Sequence, residues 1–196
     1  MPGRYCEYDR EEIKAILKIR LSKKRFAHSL NVAEMAVKLS KKHGGDSEKA
    51  YVAGLVHDIC KEIPQNEQLE MALECGRNFT ATEQLIPPLY HSAAGAWYCE
   101  NILKIEDEDI LNAVRYHTAA RAGMSLLEEI IYLADLTGDD RSYKDVGKMR
   151  KLAMENVDAA MLEALSFSVK DVVNKKSLIP ESTMEAYNYY AGKKHN

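Results

Sequence analysis

The chain has 196 residues, of which 46% are hydrophobic and 29% charged, with a formal net charge of -3. That composition supports one domain, or one domain with a short helical extension, and it lacks the basic excess that a nucleic-acid polymer would call for. No apolar run reaches the roughly 20 residues of a membrane span, and Met1 to Arg10 carries no apolar signal core, so the expectation is a cytoplasmic protein with no membrane partner.

Helical periodicity runs the length of the chain, with no alternating strand pattern, internal repeat or low-complexity tract. Asp9 with Glu12 reads as a capping box ahead of the apolar stripe Ile13, Ile16 and Leu17. A second helix starts near Ser22 to Arg25, carries His28, Val32, Met35, Ala36 and Leu39 on one face, and stops at Gly44-Gly45. A third, capped by Asp46 or Ser47, runs through Tyr51, Val52, Leu55, Val56 and Ile59 to a stop near Pro64. It is apolar nearly all round and is expected to be central and buried. Further helices are predicted around Asn66–Cys75, Tyr90–Leu103, Glu108–Thr118, Ser125–Leu136, Tyr143–Met154, Val157–Asn174 and Ser182–Ala191, with a second capping box at Ser125 and Glu128. Pro87-Pro88 marks a break. Thr137-Gly138-Asp139-Asp140 reads as a loop, and the stretch from Thr137 to Tyr143 is a candidate moving segment. No linker is visible, so residues 1–196 are read as one domain, with a core at about 22–141 and C-terminal helices 142–196 packed on it.

The cysteines, Cys6, Cys60, Cys75 and Cys99, form no C-x-x-C pair and no zinc-knuckle spacing. They read as reduced, mostly buried thiols. The histidines carry more. His43 and His195 lie at a helix stop and beside the C-terminus and are expected to be solvated. His28, His57, His91 and His117 fall within predicted helices, on or beside apolar faces, and Asp58 and Asp135 do the same. A single histidine on such a face is more often a hydrogen-bonded core residue than a ligand, and a single buried Asp is usually a cap or an ion-pair partner. Four core-facing imidazoles and two core-facing carboxylates together are costly to bury without strong partners. Divalent cations offset that cost for the whole set, because imidazole suits transition metals and carboxylate can bridge two ions. Lys61 follows Asp58 by three residues and His57 by four, so it is expected to project from the same helix face.

The order His28, His57-Asp58, His91, His117, Asp135 resembles the HD-domain superfamily of helical metal-dependent phosphohydrolases. More closely, the chain resembles the YqeK-type bacterial HD hydrolases, which cleave diadenosine tetraphosphate symmetrically to two ADP. The matching stretches are RFAHSLNVAEMA, AGLVHDICKEIP, LYHSAAGAW, AVRYHTAARAGMS and IIYLADLTGDDR, from Arg25 to Arg141. The resemblance implies an all-α helical bundle around a buried dinuclear metal site. It implies that His28, His57, Asp58 and Asp135 hold one divalent ion, and that Asp58 bridges to a second ion completed by His91 and His117. Iron is the implied metal, with manganese or another divalent ion able to substitute. Asp58 and Lys61 are the implied catalytic residues, and Lys61, Thr118, Arg121 and Arg141 the implied substrate contacts. The partner is then a small-molecule nucleotide, and a homodimer is compatible with the resemblance.

Two stretches depart from that pattern. The family's acidic-Pro-x-Arg segment is here Gly138-Asp139-Asp140-Arg141, and its Thr-Thr-Gly-Arg is Thr118-Ala119-Ala120-Arg121. Both lie at the expected substrate rim, so other readings stay open: an HD phosphohydrolase acting on another nucleotide, a non-catalytic nucleotide-binding sensor, or an oxygen-using di-iron protein.

Overall fold

The computed structural model describes residues 9–193; Cys6, His195 and the first eight residues lie outside that range. Among the described residues the chain forms ten α-helices, two short 3₁₀ turns and no strand. In order, α1 is Arg10–Arg20, α2 Lys23–His43, α3 Ser47–Val56, α4 Gln65–Glu74, α5 Tyr90–Asn101, α6 Glu108–Tyr116, α7 Leu126–Thr137, α8 Val146–Glu155, α9 Val157–Asn174 and α10 Glu181–Lys193.

The caps follow local chemistry. Asp9, Asp46 and Asp107 each accept two backbone N–H groups of the turn that follows. Ser22 accepts from the Arg25 N–H, and Gly44 closes α2 in the left-handed conformation, at φ 80°. Ser125 and Glu128 form the full reciprocal capping box of α7.

Helix α3 sits at the centre, packed against α2, α6 and α7, with Ala50 and Val52 through Val56 buried. Its approach to α2 is close. A Cβ on Gly54 would lie 2.6 Å from the Cα of Ala33, so a side chain there would force the two helices apart. The expected extension of α3 to Pro64 does not occur. The helix ends at Val56, and the chain tightens into i→i+3 bonds, Ile59 N–H to Val56 O at 3.0 Å and Lys61 N–H to Asp58 O at 2.9 Å. Glu62, just beyond, accepts from both the N–H and the hydroxyl of Ser22 and pins this turn to the start of α2.

No α-helix crosses the proline pair, which marks the break just ahead of α5. Pro87–Leu89 is a 3₁₀ turn that runs directly into it. The segment before it is held by Arg115, whose guanidinium reaches Arg77 O at 3.0 Å, Asn78 O at 2.8 Å and both carboxylate oxygens of Glu83 at 2.8 Å, with Arg115 and Glu83 both buried. The last three helices pack onto the rest. Helix α8 lies against α2, α7 and α9, and α9 lies against α7 and α10. Tyr190 of α10 donates to the buried Glu129 at 2.6 Å, and Thr183 donates to Ala119 O at 2.6 Å. Helix α8 begins at Val146 rather than Tyr143. His43, expected in solvent, is half-buried and bonds Ala153 O on α8 at 2.7 Å. Cys60, Cys75 and Cys99 are buried free thiols, and burial pushes the Cys60 thiol up to about 12.

Candidate metal centre

Five segments bring the six predicted ligands together. His28 comes from the first turns of α2, His91 from the start of α5 and Asp135 from the end of α7. His57 and His117 do not lie inside helices, as the periodicity suggested; each is the residue that ends one, after α3 and α6 respectively. Both rings fold back onto the carbonyl three residues earlier, His57 Nδ1 onto Gly54 O and His117 Nδ1 onto Val114 O, each at 2.7 Å. His91 does the same with Pro88 O at 2.8 Å. A carbonyl only accepts, so each Nδ1 carries a proton, and Nε2 is the ring atom that faces inward and is free to ligate a cation.

Asp58 divides the centre into two halves. Its Oδ2 lies 3.5 Å from His57 Nε2 and 4.0 Å from His28 Nε2. Its Oδ1 lies 3.3 Å from His91 Nε2 and 3.6 Å from His117 Nε2. On the first side Asp135 Oδ1 closes the group, 2.9 Å from His28 Nε2 and 3.9 Å from His57 Nε2. Donor atoms of His28, His57 and Asp58 fall within 4.8 Å of one another, as do those of Asp58, His91 and His117. Two donors each about 2.1 Å from a common ion can be at most about 4.2 Å apart, and these six donor separations about Asp58 and Asp135 satisfy that bound.

The donors themselves fit a cation. His57 Nε2 is buried with no hydrogen-bond partner, a costly state for a lone pair unless a cation occupies the space it faces. His91 Nε2 and His117 Nε2 face each other at 3.1 Å, close enough to be ligands of one ion. Burial opposes ionisation of Asp58, yet the imidazoles around it, His57 first, hold its carboxyl well below the usual range. Asp135 is also depressed, against its burial, by His28, His57 and Arg141. Burial, with His117 and Lys61 adding to it, keeps His91 well below the ordinary imidazole value. Without an ion, therefore, both carboxylates are ionised and His91 is neutral, while Asp58 and then Asp135 raise His57 against its burial; a divalent ion takes ionised carboxylate and neutral imidazole, so it would displace the His57 proton on binding. The cluster fits divalent metal binding.

Cations line the approach. Lys61 Nζ sits 3.1 Å from His91 Nε2, placed there by the turn after α3 and not by a shared helix face, and burial lowers its pKa. Thr118 Oγ1 is 3.3 Å from His91 Nε2. Arg141 pairs with Asp135 and reaches His28 Nε2 at 3.4 Å. Arg121 stands apart, bound to both oxygens of Glu128 at 2.7 and 2.8 Å, with none of those bonds reaching the cluster. Two contacts were missed in the sequence. Arg25 donates to Asp58 Oδ2 at 2.7 Å; its place three residues before His28 on one helix face was the available signal. Asp140 lies 2.7 Å from His28 Nδ1, and a loop offers no periodicity that could have found it.

A helical bundle presenting His and Asp donors in this order defines a class. Residues 25–137 match the HD domain family, and the chain belongs to it. It is 33% identical over 183 residues to the symmetrical bis(5'-nucleosyl)-tetraphosphatase of Bacillus subtilis, covering 92% of this chain and 97% of that protein. A protein of the same name from Halalkalibacterium halodurans is 34% identical over 175 residues, 88% of this chain and 92% of the relative. The crystal structure of a predicted HD superfamily hydrolase involved in NAD metabolism, from Clostridium acetobutylicum, superposes with a TM-score of 0.90 at 37% identity, covering 93% of this chain and 97% of that one.

Proposed function

We propose that this protein is a metal-dependent hydrolase that splits diadenosine tetraphosphate symmetrically into two ADP. The observation that carries the chemistry is the division of Asp58, one carboxylate oxygen facing each half of the donor set. The near full-length similarity to two symmetrical tetraphosphatases supports the substrate. His28, His57, Asp58 and Asp135 would hold one divalent ion, and Asp58, His91 and His117 the other. Donors of imidazole and carboxylate without thiolate suit iron(II), with manganese(II) a workable substitute. The same reading places the protein in the cytoplasm, in keeping with its buried free thiols.

A bound ion pair supplies Lewis acidity toward phosphate oxygens and a water of lowered pKa. The chain's own groups do the rest. Asp58 sets the spacing of the two halves. Lys61, seated at the second half, donates to a phosphate oxygen as negative charge builds there. Arg25 and Arg141 stand at the first half and orient the polyphosphate beside it. Thr118 offers a neutral donor next to His91, and Arg121, held by Glu128, is the remaining candidate contact. Water adds across the central phosphoanhydride, one bridging P–O bond breaks, and each product leaves as ADP.

The test is chromatography of the products formed from diadenosine tetraphosphate by protein loaded anaerobically with iron(II) or manganese(II). ADP alone is expected; AMP with ATP would overturn symmetrical cleavage. Asp58→Ala is expected to lose metal and at least about a thousandfold in turnover while keeping its helical circular dichroism, and retained turnover would sink the assignment.

A further inference from the structure

Three of the four clustered imidazoles are oriented by a backbone carbonyl within their own turn. His28 is oriented differently. Its Nδ1 faces the Oδ2 of Asp140 at 2.7 Å, 112 residues away in sequence. Asp140 lies in the turn after α7, closed by the Arg141 N–H to Gly138 O bond at 2.9 Å. Arg150 of α8 clamps that turn from behind, reaching Thr137 O at 2.8 Å, Gly138 O at 2.6 Å and Arg141 O at 2.9 Å. The segment read from sequence as a candidate moving loop is therefore fastened at three carbonyls.

The space for the Asp140 side chain is made by Gly138. Its backbone, at φ -50° and ψ 153°, is open to any residue, so the glycine is not there for conformational freedom. A Cβ at this position would lie 2.9 Å from Asp140 Oδ1 and 3.4 Å from Ala134 O. The methyl would push against the carboxylate whose other oxygen holds His28. Asp is short, and it cannot yield at one oxygen without moving the second.

We propose that Gly138 and Asp140 act as a pair, Gly138 admitting a carboxylate that fixes His28 with Nδ1 protonated and Nε2 aimed at the metal. Asp140 is a positioning residue, acting on the metal through His28. The carboxylate fixes both the tautomer and the rotation of the ring. It leaves Nε2 at 2.9 Å from Asp135 Oδ1, a spacing two ligands of one ion adopt. Partners of this kind, one bond beyond the ligand, commonly govern metal affinity by 10- to 100-fold. The inference rests on the metal-holding reading of the cluster, and it concerns only the half of the site that contains His28.

The experiment is a manganese(II) titration of the full chain, free ion followed by electron paramagnetic resonance, with circular dichroism on every variant. The wild type is expected to take two ions. Asp140→Ala should weaken one ion by about tenfold or more and leave the other within about twofold. Asp140→Asn, whose amide oxygen still accepts from Nδ1, should recover most of the loss, and Gly138→Ala, which alters no polar group, should weaken the same ion. Unchanged affinity for both ions in Asp140→Ala overturns the inference. Equal losses in Asp140→Asn and Asp140→Ala also overturn it, since charge and not orientation would then be responsible. A wild type that binds no manganese overturns the metal-holding reading itself, so the two failures are told apart.

Discussion

At the scale of the residue, the six clustered His and Asp side chains stood out because each stands on or beside a helical apolar face, where a polar side chain conflicts with its surroundings. The cationic groups beside them stood out less. Lys61 was expected beside Asp58 through helical spacing, and it arrives there through a different geometry, the i→i+3 turn after Val56. Its ammonium is buried enough to have its pKa lowered, and its contact is with His91, a neighbour 30 residues away. A methionine at this position keeps the volume and removes the donor. Lys61→Met is expected to lower kcat by about a hundredfold, the cost of one donor to developing charge, with metal stoichiometry unchanged. Steady-state kinetics together with metal analysis checks this, and loss of an ion would reassign Lys61 to metal retention. Arg25 shows how a readable signal was passed over. Its i to i+3 relation to His28 is plain in the sequence, and only the fold reveals Asp58 as its partner.

At the scale of the element, the helices were found to within a few residues, apart from the end of α3. The apolar period there continues through Ile59 and Cys60, both buried, so hydrophobicity could not mark the stop. What ends the helix is polar: the His57 ring takes the Gly54 carbonyl that a continuing helix would have used. The same helix depends on Gly54 for its seat against α2. With the backbone of Ala33 at 2.6 and 2.9 Å from an added Cβ, neither neighbour can rotate away. Gly54→Ala is expected to destabilise the fold by about 3 kcal/mol or more, at the upper end of overpacking costs, and to disturb the relation of His28 to His57. A urea melt of the metal-free protein measures the first effect. A stability within about 0.5 kcal/mol of wild type would show that the two helices separate freely.

At the scale of the whole molecule, contacts between distant helices set the response to pH. Asp107 caps α6 and also meets Lys49 of α3 at 2.7 Å. Burial works against its ionisation, but Lys49 and the two capped N–H groups hold its pKa below the ordinary value of 3.8. The unfolded chain therefore takes up this proton first as pH falls. The stability that Asp107 contributes is full above its unfolded value and is lost as pH drops through the lower folded one. At neutral pH Asp107→Asn should cost about 1 kcal/mol, given partial exposure and solvent screening. The difference from wild type should shrink as unfolding is measured at progressively lower pH below 3.8. A difference constant with pH would mean that the carboxylate's charge plays no part.

The carbonyl clasps of His57, His91 and His117 have a consequence for inheritance. Each clasp spans four residues, so the orientation of the ring travels with its own short stretch of chain and asks nothing of remote positions. Lineages can therefore replace most of their sequence, as the 33% identity to the Bacillus subtilis relative illustrates, without re-solving how three of the four rings point. His28 is the exception. Its orientation is written in a loop more than a hundred residues downstream, and there substitutions have to arrive in company.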